Sequence, residues 1–113
     1  MMEILLWLFQ KINSFPKKQR FVLGQQIENT SLEILKLIIH ANNEKNDVKK
    51  FSYLNEMNTQ LEVLRSLLQI CFELRFITAS SLGFIITQID EVGRMLGGWM
   101  KSSPVEKTAL KRA

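Results

Sequence analysis

Apolar residues recur along most of the chain at alternating spacings of three and four, which is the period of an amphipathic α-helix. The pattern is strictest in the middle of the chain, where it holds for more than two heptads, at Leu54, Met57, Leu61, Leu64, Leu68 and Cys71. A second apolar stripe runs beside the first and comprises Leu67, Ile70, Leu74 and Ile77. Two stripes on one helix predict contacts on two sides, as in the interior of a bundle or at a subunit interface.

The same periodicity predicts four helices joined by short connections. They cover Glu3–Asn13, Pro16–Ala41, Val48–Phe76 and a last segment that begins after Thr78–Ser81 and ends at Lys101. Proline suits the first turn of a helix, the polar segment Asn42–Asp47 is typical of a loop, and Thr78 and Ser81 are good N-cap residues. We therefore predict an all-α fold, an antiparallel up-down four-helix bundle over residues 1–101, with a disordered charged tail over residues 102–113.

The first predicted helix is apolar on nearly every side. One face consists of Ile4, Leu5, Leu8 and Ile12, while Trp7 and Phe9 project elsewhere. Such a helix is not expected to lie exposed on a monomer. Either it is enclosed by the other helices, or a second subunit covers its outer side.

Three glycines interrupt the last predicted helix, at Gly93, Gly97 and Gly98. Its predicted buried seam comprises Ile86, Ile89, Gly93, Leu96 and Met100. Each glycine in a helix interior costs roughly 1 kcal/mol relative to alanine. We therefore expect either close approach of a neighbouring backbone or a helix end at Gly97 and Gly98, where Trp99 can anchor the end against the core or a second subunit.

Composition narrows the possible classes of protein. A chain of 113 residues is expected to form one domain, and none of its apolar runs approaches the roughly 18 to 20 residues needed to span a membrane. The apolar start, Met1 to Phe9, lacks a basic leader and a cleavage site of small residues, so we expect a cytoplasmic protein. Cys71, the single cysteine, lies in an apolar helical pattern and is predicted to be buried and inert.

Residues that carry catalysis or bind metals are sparse. His40 is the only histidine, and no Glu-x-x-His pair is present, so neither a typical zinc site nor a di-iron site is predicted. Asp90 and Glu91 are adjacent, which places them about 100° apart on a helix rather than as an acid–base pair. We therefore expect a non-enzymatic protein that acts by binding or assembly, without a cofactor.

The positive charges carry more information than the net charge of +4, which permits an anionic partner without requiring one. Lys17, Lys18 and Arg20 fall in the first turns of the second helix, where the helix dipole disfavours cations by a few tenths of a kcal/mol. A phosphate backbone would compensate for this placement, and simple solubility is the alternative. The remaining arginines have structural explanations: Arg65 follows Glu62 by three, Arg94 follows Asp90 by four and Glu91 by three, and Arg75 suits the negative end of its helix.

Two segments resemble a known family. They are ILLWLFQKINSFPKKQRFVLGQQI, from Ile4 to Ile27, and EVGRMLGGWMK, from Glu91 to Lys101. Together with Leu64-Arg65 and Leu74-Arg75, they resemble the accessory variability determinant (Avd) proteins of diversity-generating retroelements. The wider four-helix-bundle family includes proteins encoded by intervening sequences in ribosomal RNA genes.

The resemblance implies a cytoplasmic bundle that assembles as a barrel-like homopentamer with a basic surface. It also implies two kinds of partner, the reverse transcriptase of the element and nucleic acid, either the template RNA or its cDNA. On this basis the candidate nucleic-acid-binding residues are Lys17, Lys18, Arg20, Arg65, Arg75 and Arg94. The candidate packing residues are Gly93, Gly97, Gly98 and Trp99.

Three alternatives remain open at this stage. The first is a bundle of the intervening-sequence type without a reverse transcriptase partner, and the second is a purely structural oligomer whose charge is incidental. The third, a bundle enzyme or cofactor carrier, is disfavoured because the histidine and glutamate ligands are missing.

Overall fold

The computed structural model describes residues 1–105, and its regular elements there are all helical. They are α1 (Met2–Ile12), α2 (Lys17–Gln19), α3 (Gln25–Asn43), α4 (Asp47–Glu73) and α5 (Ala79–Lys101). One turn of π-helix, Arg20–Gly24, joins α2 and α3 into a single helical run. Four helices therefore pack together, which confirms the prediction of an all-α fold with four helices. Of the predicted disordered tail, residues 106–113 lie outside the described part of the chain.

Helix α4 is the centre of the core, since both α3 and α5 pack against it and α1 packs against α3. The predicted seam of α4 is confirmed, because all six of its residues are buried: Leu54, Met57, Leu61, Leu64, Leu68 and Cys71. The opposing faces of α3 and α5 contribute fully buried isoleucines, at Ile27, Ile34, Ile85 and Ile89. This interior is closed within one chain.

The second stripe of α4 behaves differently. Ile70 and Leu74 are exposed, at 44% and 52% of their surface, and Leu67 is half-buried. Only Ile77, which lies beyond the end of the helix, is buried. Val63 is also exposed and extends the line, so we define the outer stripe of α4 as Val63, Leu67, Ile70 and Leu74.

Helix α1 is likewise closed on one side and open on the other. Its predicted inner face is confirmed, because Ile4, Leu5, Leu8 and Ile12 are buried. On the other side Met2, Leu6 and Phe9 are exposed at spacings of four and three. The other helices of the chain therefore do not enclose α1.

The predicted seam of α5 needs a correction. Ile89 and Leu96 are buried as predicted, whereas Ile86 and Met100 are only half-buried. Ile85 is fully buried in their place. Adjacent helical positions point about 100° apart, so the helix presents a different line of residues to the core than the prediction assumed.

Helix α4 ends three residues earlier than predicted, at Glu73 rather than Phe76. The backbone N–H of Phe76 donates to the carbonyl oxygen of Cys71 at 2.8 Å, and that of Arg75 donates to Phe72 at 2.9 Å. These two bonds form a Schellman motif, which closes a helix when the C′ residue adopts the left-handed conformation. Arg75 occupies that position with a φ of 65°, where glycine is usual.

Side-chain caps begin both long C-terminal helices. Asn46 Oδ1 accepts a hydrogen bond from the backbone N–H of Lys49 at 3.0 Å at the start of α4. Thr78 Oγ1 accepts one from the N–H of Ser81 at 3.1 Å at the start of α5. Each bond satisfies a backbone donor that has no partner inside its helix, and the predicted N-cap at Thr78 is confirmed.

Candidate nucleic-acid interface

Two phenylalanines bring the start of α2 and the end of α4 together. The rings of Phe15 and Phe76 pack with their centroids 5.7 Å apart. Lys17 follows Phe15 by two residues and Arg75 immediately precedes Phe76, so both cations lie at the same end of the molecule. We call Lys17, Lys18, Arg20 and Arg75 the basic end.

The four cations of the basic end are exposed, and none has an ion-pair partner within residues 1–105. Two features make their positions unfavourable in the isolated chain. Lys17 and Lys18 occupy the first turn of a helical run, where the helix dipole disfavours positive charge. Arg75 holds a left-handed backbone, which costs a residue with a Cβ atom about 1 kcal/mol. The chain thus keeps unpaired positive charge at this end at some cost in stability.

Arg65 is committed to a contact between helices. Its Nε donates to Oδ1 of Asp90 on α5 at 3.0 Å, so the expected pairing with Glu62 on its own helix is wrong. The guanidinium also explains Gly93, because Arg65 Nη2 lies 2.9 Å from the point that a Cβ atom would occupy there. Gly93 therefore leaves room for a side chain, and Arg65 joins α4 to α5.

Arg94 pairs weakly on the surface of α5. Its Nη2 lies 3.7 Å from Oε1 of Glu91, and its side chain is 75% exposed. Asp90, the other predicted partner, is held by Arg65 instead. At about 1.5 Å per residue, Arg94 stands about 22 Å along α5 from Ala79, which begins near the basic end. The structure thus gathers four of the six candidate cations and leaves Arg65 and Arg94 apart from them.

A groove of about 370 Å³ opens beside the basic end. Its lining consists of Ile12, Asn13, Lys17, Arg20, Phe21, Gln25 and Glu28. The aromatic residue in this groove, Phe21, is missing from the sequence-based candidates. Its exposure depends on the π turn, and a sequence carries no reliable sign of such a turn; the only available signal was an aromatic residue directly after a basic run.

The remaining glycines differ sharply in their surroundings. A Cβ atom on Gly24 would lie 2.6 Å from Cγ2 of Ile12, so α1 approaches the π turn closely at this point. At Gly97 and Gly98 a Cβ atom would meet no heavy atom of the described chain within 4 Å. Helix α5 also continues past both residues to Lys101. Neither close approach nor a helix end therefore explains them within the part of the chain that is described.

Trp99 is 45% exposed and stands beside these open glycines. It contributes to an apolar groove of about 310 Å³ that also includes Met57, Val92 and Met95. Its ring therefore covers part of the chain's own surface while leaving the rest available for contact.

Catalytic chemistry finds little support in residues 1–105. Cys71 is fully buried, and burial raises the pKa of its thiol from 9.0 to about 11, which keeps it protonated and unreactive near neutral pH. His40 stacks on Tyr53 with centroids 5.3 Å apart. Within the described residues, no group of three or more His, Cys, Asp or Glu side chains is placed to hold a metal ion. None of the described helices is long and apolar enough to cross a membrane.

Comparisons with known proteins give one clear result. No curated protein matches the chain. A family model described as bAvd-like matches residues 1–103, which is nearly the whole sequence and includes all ten candidate site residues. This match confirms the resemblance that Ile4–Ile27 and Glu91–Lys101 carry. The chain belongs to the bAvd-like family, whose members are accessory proteins of the retroelement type.

Proposed function

We propose that the chain is a non-enzymatic, cytoplasmic accessory protein of a diversity-generating retroelement. In this role it binds the reverse transcriptase of the element together with its template RNA or cDNA. The basic end, Lys17, Lys18, Arg20 and Arg75, is the surface that contacts the nucleic acid. Arg65 and Arg94 contribute less, because each already faces a carboxylate of its own chain.

One observation carries the nucleic-acid part of the proposal. Four exposed cations lie at one end of the molecule with no carboxylate partner in residues 1–105, two of them against a helix dipole and one on a left-handed backbone. A phosphate backbone would offset these costs, since Lys and Arg bind phosphates chiefly through charge and release counterions when they do so. Such contacts position a nucleic acid without reading its sequence.

Self-assembly is the second part of the proposal. Open apolar stripes lie on α1, at Met2, Leu6 and Phe9, and on α4, and single chains seldom leave so much contiguous apolar surface in water. We propose that other copies cover these stripes in a homopentamer of up-down antiparallel bundles. Five copies would place five basic ends on one assembly. Light scattering after size exclusion should then give five times the chain mass of 13.1 kDa; a monomer would contradict this part.

A salt titration of RNA binding tests the electrostatic part. Each phosphate contact on a single strand contributes about −0.7 to the slope of log K against log salt, so four cations predict a slope of about −3 or steeper. Tight binding that does not change with salt, or no binding at low salt, would contradict the proposal.

A pull-down with the reverse transcriptase encoded beside the chain tests the remaining part. Capture that survives nuclease treatment is expected, since the two proteins are proposed to contact each other directly. Capture only while RNA is intact would leave the RNA as the sole link. No capture at all would favour a bundle of the intervening-sequence type.

A further inference from the structure

Phe21 is the most exposed aromatic side chain in the described chain, with 67% of its surface open. It lies on the π turn directly after Arg20, between the cations of the basic end and the start of α3. A π turn adds a residue to the helical register, and π turns occur often at functional sites. Gly24 seats the inner side of this turn against Ile12, while Phe21 and Val22 face outward.

The other aromatic residues nearby have ring partners within the chain. Phe15 packs on Phe76, and Phe84 packs on Trp7 with centroids 5.8 Å apart. Among residues 1–105 no aromatic ring pairs with Phe21 in this way. One face of its ring is therefore open to a planar group from outside.

The groove that contains Phe21 has a mixed chemistry. Lys17 and Arg20 supply positive charge, whereas Gln25 and Glu28 supply an amide and a carboxylate. A site for phosphate alone would not include a carboxylate, because the two anions repel each other. A nucleotide fits this combination better, since its phosphate needs cations and its base offers an aromatic face and amino donors at its edge.

We propose that Phe21 stacks on an unpaired base, so that the basic end prefers single-stranded nucleic acid over duplex. This inference rests on the proposed function, because it specifies the kind of nucleic acid that the same surface binds. Lys17 and Arg20 hold the flanking phosphates while the ring takes the base between them. Bases inside a duplex are already stacked and paired, so they cannot reach the ring without disrupting the helix.

The test compares binding to a short labelled single strand and to a duplex of the same length, by fluorescence anisotropy at fixed low salt. RNA and DNA strands of the same sequence are measured separately, because stacking on Phe21 does not depend on the sugar. The variants are Phe21→Ala, Phe21→Leu, which keeps apolar volume without a ring, and Phe21→Tyr, which keeps the ring. Val22→Ala is the matched control, since it removes the neighbouring exposed side chain, which does not line the groove.

We expect the natural chain to prefer single strands. Phe21→Ala and Phe21→Leu should weaken single-strand binding roughly 5- to 150-fold, the range for the loss of one base–aromatic stack, and leave duplex binding unchanged. Phe21→Tyr and Val22→Ala should bind as the natural chain does. The salt slope should stay the same in Phe21→Ala, because no phosphate contact is lost.

Three results would overturn the stacking proposal alone while salt-dependent binding remains. They are unchanged single-strand affinity in Phe21→Ala, full affinity in Phe21→Leu, and a fall in oligomeric mass in Phe21→Ala, which would make the ring a subunit contact. If the natural chain binds neither single strand nor duplex at low salt, the proposed function fails together with this inference.

Discussion

The inside and the outside of this bundle differ in how far the chain explains itself. On the inside, each buried residue of α4 meets a neighbour, Gly24 makes room for Ile12, and Gly93 makes room for Arg65. On the outside, the outer stripe of α4, the two open glycines and the four cations of the basic end have no such explanation within residues 1–105.

The difference teaches where to look for function in a small helical protein that shows no catalytic cluster. Features that the chain's own contacts account for belong to stability. Features that cost stability, or gain nothing within the chain, point to contacts with other molecules. Substitutions on the inside should therefore change folding, and substitutions on the outside should change assembly or binding.

The largest effect is expected from the inner seam of α4. Leu64→Ala removes a fully buried side chain and should lower the free energy of unfolding by about 2–5 kcal/mol, through lost burial and the cavity left behind. The matched control is Leu74→Ala on the outer stripe, where the same change should stay within about 0.5 kcal/mol for the unassembled chain. Urea denaturation at low protein concentration measures both, and equal losses would contradict the distinction between the two stripes.

The buried thiol of Cys71 makes the inside sensitive to alkaline pH. In the unfolded chain the thiol loses its proton near pH 9.0, whereas in the folded chain its pKa is about 11. Stability from this group is therefore complete below about pH 9 and is lost as pH rises toward 11, by about 2–3 kcal/mol in total. The measurement is urea denaturation from pH 8 to 10.5, with Cys71→Ala as the control that lacks this loss. A parallel decline in both proteins would contradict the prediction.

Two glycine substitutions should have opposite signs. Gly24→Ala gains about 1 kcal/mol of helix preference but forces a methyl group against Ile12, so a net loss of about 1 kcal/mol is expected. Gly97→Ala meets no neighbour and should stabilise the single chain by up to about 1 kcal/mol. Thermal unfolding of both variants gives the two signs directly. If Gly97→Ala stabilises the chain while lowering the assembled mass, the open glycine face is a subunit contact.

Arg75→Gly should separate stability from binding at a single residue. Glycine relieves the left-handed backbone and should stabilise the chain by about 0.5–1 kcal/mol, while RNA binding weakens because a cation is lost. Arg75→Ala is the companion variant, since it removes the charge and keeps the backbone cost. RNA affinity and denaturation are measured on both variants. Unchanged affinity in both would remove Arg75 from the interface.

The helices and the inner seam of α4 could be predicted from the sequence because both follow from local periodicity. The seam of α5 was misplaced around its helix, because a line that includes glycines looks apolar whether or not it faces the core. The partner of Arg65 could not be predicted either. Glu62 stands three residues away along the chain, whereas Asp90 comes close only through the packing of α4 against α5.

The candidate site was predictable in part. A basic run at a helix start and an arginine near a helix end are visible in sequence, but their meeting depends on the contact between Phe15 and Phe76. The π turn depends on a tertiary contact at Gly24, so the exposure of Phe21 could not be derived from a local pattern. Neither could the left-handed backbone at Arg75, since no glycine marks the helix end.

The most direct test of the account compares RNA affinity at low salt for two charge-reversed proteins. One carries K17E, K18E and R20E in the basic end; the other carries K45E, K49E and K50E, three exposed lysines around the start of α4. Both variants change the net charge by the same amount, and circular dichroism confirms that both remain helical. The account predicts that the basic-end variant loses about tenfold or more in affinity while the control variant stays close to the natural chain. Equal losses in the two variants would show that overall charge, rather than the basic end, drives binding and would contradict the central claim.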